Sequence, residues 1–134
     1  MLAFPSNQFG HQENGSGEEI VNLLKYVRPG NGFKFRGEMF DKVEVNGSGE
    51  HPLFSLLKAA LPAPHDDAVS LMDNPSYLVW RPVRRTDISW NFEKFLVDQE
   101  GRPVKRYSKS FLTSAIEEDI KALLKLGGHD LGKG

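Results

Sequence analysis

The chain opens on a short apolar run, Met-Leu-Ala-Phe, that stops at the Pro5-Ser6-Asn7 turn signal, the pattern of a buried strand near its end. A strand is expected there, entered from residues in front of Met1. Ser16 with Glu19 forms a capping box, Ile20, Leu23, Leu24 and Val27 then fall on one helical face, and Pro29-Gly30 closes the helix. Met39 to Val45 reads as a strand, with Val43 and Val45 alternating against Lys42 and Glu44 before Asn46-Gly47. Pro52 starts a second helix whose broad apolar face (Leu53, Phe54, Leu56, Leu57, Ala60, Leu61) ends at Pro62. Residues 62–87 show no sustained period and predict a long functional or interface loop. Phe92 to Val97, a turn at Asp98 to Gly101, and Val104 to Tyr107 predict a β-hairpin. Ser114 with Glu117 is a second capping box, opening a helix through Ile116, Ile120, Leu123 and Leu124 that Gly127 ends.

This order implies an α/β layer architecture, a mixed sheet flanked by helices, with one domain over 1–126 and a flexible tail over 127–134. The composition agrees with one soluble domain: 134 residues, 39% hydrophobic and 26% charged. A net charge of -1 gives no basic field for nucleic acid, and no polybasic or amphipathic end suggests a membrane surface. Small molecules and other subunits are the expected partners.

The count of zero cysteines excludes disulfides, thiolate zinc sites and a cysteine nucleophile within these residues. His11, His51, His65 and His129 are scattered without a metal-ligand spacing, so no metal is expected. The word NGSGE occurs at 14–18 and 46–50, each time before a helix, but without the spacing of a phosphate loop it reads as turn and cap chemistry. Asp66-Asp67 reads as a solvated pair rather than an acid/base couple. Two polar-aromatic stretches are more informative: NQFGHQE at 7–13, just past a strand end where open α/β sheets place ligands, and ISWNFEKF at 88–95. On pattern alone Trp90 is an anchoring aromatic and Asn91 a turn residue.

The motifs FPSNQFGHQE (4–13), KYVRPG (25–30), EVNG (44–47), HPLF (51–54), LPAP (61–64) and WNFEKFL (90–96), in register from Met1 to about Leu124, resemble the glutathione peroxidase family. That family usually has a cysteine where Ser6 stands, one that is not its catalytic residue. The resemblance implies a thioredoxin-like fold of three layers that reduces hydrogen peroxide and organic hydroperoxides with glutathione as co-substrate and no other cofactor. It implies a selenocysteine or cysteine nucleophile surrounded by Gln12, Trp90 and Asn91. Their N–H groups can all donate to an anionic selenium or sulfur and so lower its pKa.

The family's nucleophile precedes the NQFG stretch, so the chain is expected to be N-terminally truncated and inactive alone, an in-frame selenocysteine codon read as a stop being one origin. Without a resolving cysteine, the glutathione-using branch fits better than the thioredoxin-using one. By resemblance Arg28, Lys105 and Arg106 bind the glutathione carboxylates, the 62–85 loop marks a homotetramer, and the setting is cytoplasmic. A non-catalytic fragment or isoform acting as an assembly module is the alternative.

Overall fold

The computed structural model describes residues 1–27, 30–67 and 78–133. It divides into two compact units, Met1–Phe54 with Asn74–Arg84 and Ser55–Asp73 with Arg85–Gly134, and the boundary falls within a helix.

In the first unit, β1 (Leu2–Ala3) pairs in parallel with β2 (Glu38–Met39), Leu2 opposite Glu38, and α1 (Gly17–Tyr26) lies between them in sequence. The strand expected over Met39 to Val45 is therefore two residues of ladder beginning one position earlier. Pro5 explains the early stop: its carbonyl accepts from Val43 N at 2.9 Å, but without an N–H it cannot return a bond. Phe4 stacks on Phe40 (4.5 Å, 4°) and meets Phe54 edge-on (5.3 Å, 89°). Phe9 meets Trp80 edge-on at 5.7 Å.

Helix α1 begins as its capping box requires, with Ser16 Oγ accepting from Glu19 N at 3.2 Å. Its expected apolar face is only partly used. Ile20 is buried, whereas Leu23, Leu24 and Val27 are 47%, 40% and 51% exposed, so no described residue fully covers that side.

Helix α2 (Pro52–Ala60) follows, with His51 Nδ1 accepting from Leu53 N at its start. In the second unit Leu57, Ile88, Tyr107 and Ile116 are buried. The predicted hairpin is β3 (Lys94–Val97) with β4 (Pro103–Tyr107), antiparallel, with a register shift at Leu96/Val97. Asp98 closes its turn by accepting from Glu100 N and Arg102 N, both at 2.9 Å, and Gly101 supplies the left-handed residue (φ 84°).

The C-terminal helix differs from expectation at both ends. Ser114 does not cap it but lies inside a 3₁₀ turn (Thr113–Ile116) whose flanking Leu112 has no capping side chain. Helix α3 (Glu117–Lys133) then runs through Gly127, where a stop was expected: a glycine ends a helix only when the chain turns left-handed there. No helix among the described residues is long and apolar enough to cross a membrane.

Candidate functional site

Two turns carry the candidate donors, one in each unit. The turn over 6–14 presents Gln12, which is exposed, and is closed by short polar side chains. Asn7 Oδ1 accepts from Glu13 N (3.0 Å), Asn7 Nδ2 donates to Asn14 Oδ1 (2.9 Å), and Asn14 Nδ2 donates to His11 O (3.2 Å). Gly10 and His11 take left-handed backbone (φ 63° and 52°), which reverses the chain, and Gln12 N reaches back to Phe9 O. Beneath the turn, the buried amide of Gln8 imitates a strand neighbour. Its Oε1 accepts from Val45 N (2.9 Å) and Asn46 N (3.1 Å), and its Nε2 donates to Asn46 O (2.9 Å). Ser6 is buried at the start of this turn, and its hydroxyl accepts from Gln8 N.

In the second unit Trp90 and Asn91, both half-buried, stand at the tip of the turn over 89–93. Glu93 closes it. One carboxylate oxygen accepts from Ser89 N (2.9 Å) and Ser89 Oγ (3.1 Å), and the other accepts from Arg106 Nε at 2.7 Å. These two side chains are 2% and 1% exposed, a dry pair of opposite charges.

Arg106, expected among the substrate-binding cations, is corrected to an internal role by this geometry. Three of its four other N–H groups donate to Leu61 O (3.1 Å), Thr86 O (3.0 Å) and Asp87 O (3.1 Å), so the guanidinium faces the protein and not a ligand. Lys105 stays partly exposed, 3.2 Å from Asp119 Oδ2 and over the Tyr107 ring. Arg28 lies outside the described residues.

Around the hairpin several side chains have shifted acidities. Burial pushes Tyr107 well above the usual phenol range, and its hydroxyl donates to Asp119 at 2.7 Å, which adds to the effect. That bond, with Lys105 second, holds Asp119 below the ordinary carboxylate value. Burial works to raise Asp66, but the Ser108 hydroxyl (2.5 Å) and amide (2.8 Å) outweigh it, and its pKa is lowered. Asp66, expected to be solvated, is instead an acceptor for Ser108. Burial also lowers Lys94, whose ammonium donates to Phe111 O at 2.6 Å and Ser108 O at 3.4 Å. A second buried ion pair, Lys58 with Asp87 at 3.3 Å, lies under the segment that leads to Trp90. No group of three or more metal-ligating side chains occurs among the described residues.

Sequence reading singled out the candidate donors but not Gln8, Glu93 and Arg106 as the residues that hold their turns. Gln8 and Glu93 lay inside the two singled-out stretches. Only their partners, up to 38 residues away for Gln8, distinguish them.

The family model for glutathione peroxidase matches residues 1–58. The chain is 62% identical over 124 residues to glutathione peroxidase 1 of Rattus norvegicus, covering 92% of this chain and 62% of that one. It is 58% identical over 126 residues to glutathione peroxidase 2 of Mus musculus, covering 94% and 66%. The chain thus spans just under two thirds of the length of these relatives. The crystal structure of T. cruzi GPX1 aligns with a TM-score of 0.44 at 26% identity, over 82% of this chain and 72% of that one.

Proposed function

As the chain belongs to the glutathione peroxidase family, we propose that it supplies the hydrogen-bonding frame of an enzyme that reduces hydrogen peroxide and organic hydroperoxides with glutathione. The fold of that enzyme is thioredoxin-like. The nucleophile is a selenol or thiol outside these 134 residues, which contain no cysteine. Its anion attacks the terminal peroxide oxygen, the O–O bond breaks, and the departing alkoxide or hydroxide takes a proton and leaves as alcohol or water. The selenenic or sulfenic product is returned by two glutathione thiols, which leave as the disulfide with one water.

In this scheme Gln12 Nε2, Trp90 Nε1 and Asn91 Nδ2 donate to the anionic chalcogen, favouring its ionised form and stabilising charge as it shifts. Lys105 meets a glutathione carboxylate by exchanging it for Asp119, and Arg28 is a second cation for the same purpose. Arg106 is not a ligand contact but fixes the turn through Glu93. The observation that carries the proposal is this clamp, which closes the Trp90-Asn91 turn with a dry ion pair in a chain so similar to these peroxidases. The assembly is a cytoplasmic homotetramer joined through the 62–85 loop.

The test is Trp90→Phe in the protein translated from the reading frame continued upstream of the Met1 codon. Losing one N–H donor to an anion slows peroxide reduction on the order of tenfold to a hundredfold. Unchanged rate constants would reduce Trp90 to a packing residue.

A further inference from the structure

Phe92 follows the two proposed donors directly and has two properties that a turn aromatic normally avoids. It is 80% exposed, and it takes a left-handed backbone (φ 68°). The other non-glycine residues with positive φ among those described are His11 and Asn31, types that tolerate this region, whereas a bulky aromatic there is a true outlier. Such a conformation persists only when its surroundings impose it. They do so here: Ser89 and Glu93 bracket the turn with two hydrogen bonds, and Arg106 holds Glu93 from below. The backbone that carries the ring is therefore held by the turn.

We propose that Phe92 is a specificity-determining contact that takes the apolar group of an organic hydroperoxide beside Trp90 and Asn91. This rests on the reading of those two residues as donors to the chalcogen anion that attacks the peroxide. A hydroperoxide attacked by a chalcogen anion held by those N–H groups brings its carbon substituent within a few ångströms of the same turn, where an aromatic face gains contact with aryl or alkyl groups. Hydrogen peroxide has no such group and gains nothing. The ring therefore separates organic from inorganic peroxides without entering the chemistry, and the strained backbone keeps it presented when no substrate is bound.

The binding test uses the 134-residue protein and 2-phenyl-2-propanol, the alcohol left when cumene hydroperoxide is reduced, while the Trp90 indole N–H resonance is followed by NMR. The alcohol should shift that resonance saturably, Phe92→Ser should weaken binding about fivefold or more, and Phe92→Leu should keep most of it. No saturable shift, equal binding by Phe92→Ser, or an oligomer that Phe92→Ser dissociates would each overturn the proposal. In the peroxide-reducing protein, Phe92→Ser should also raise the ratio of KM for cumene hydroperoxide to KM for hydrogen peroxide about fivefold, and an unchanged ratio would count against it. If Trp90→Phe leaves the rates untouched while Phe92 still binds the alcohol, the donor reading fails and the apolar contact stands.

Discussion

The turn over 6–14 and the turn over 89–93 hold their candidate donors by opposite means. The first relies mainly on neutral side chains: Asn7 and Asn14 close it, Gln8 ties it to Val45 and Asn46, and the charge near it is the exposed Lys42 ammonium that donates to Asn14 O at 2.9 Å. The second uses formal charge, a glutamate and an arginine sealed from water at 2.7 Å. A neutral clamp that loses a partner leaves a few unsatisfied backbone groups, whereas an ionic clamp in a dry interior leaves an uncompensated charge. The two turns should therefore fail at different scales, and a set of substitutions can measure the difference.

Glu93→Ala should produce the largest effect, about 3–5 kcal/mol of destabilisation in urea unfolding, because the Arg106 guanidinium stays buried without its partner. A loss under about 1 kcal/mol would show that water reaches Arg106, and the contrast between the turns would collapse. Arg106→Lys should not rescue function, since one ammonium cannot reproduce a fork that reaches Glu93, Leu61, Thr86 and Asp87. Gln8→Leu removes the neutral clamp at similar volume and should cost less, about 1–3 kcal/mol, the penalty for stranding the Val45 and Asn46 amides. If it equals Glu93→Ala, charge is not what separates the two turns.

Acid sharpens the comparison on the ionic side. The pKa values of Asp66 and Asp119 are depressed in the folded protein, so the stability they contribute is present above the unfolded value of about 3.9. It is lost as pH falls through the lower folded values. Asp66→Asn should flatten the decline of stability below about pH 4, and an unchanged slope would remove Asp66 from the acid response. Smallest of all, Ser16→Ala should cost about 1 kcal/mol through the lost cap of α1, with Ser16→Thr retaining most of it. A larger loss would mean that α1 supports the 6–14 turn beyond its own cap.

What the sequence revealed followed how local each feature is. The hairpin was legible because its turn at Asp98 to Gly101 and its alternating strands are written within fourteen consecutive residues, 94–107. The start of α1 was equally local, set by Ser16 and Glu19. Local signals misled at Ser114, whose capping box is absorbed in a 3₁₀ turn, and at Gly127, which α3 passes through. The second strand was overextended because Pro5, the residue that ends its ladder, lies on the partner. Least legible was Arg106. As one of two adjacent cations on a hairpin it looked like a surface ligand, and only Leu61, 45 residues away, with Thr86, Asp87 and Glu93, turns it inward. Trp90 and Asn91 were singled out as candidates by family motif, but the reason their turn is held in place lies in those distant pairings.

Under the proposed function, these residues provide the donors and not the nucleophile. Glutathione-dependent reduction of hydrogen peroxide, measured side by side for the 134-residue chain and for the product of the frame continued upstream, tests it most directly. The account predicts a background rate for the shorter protein and saturable turnover for the longer one. Turnover by the shorter protein, or none by the longer, would contradict it.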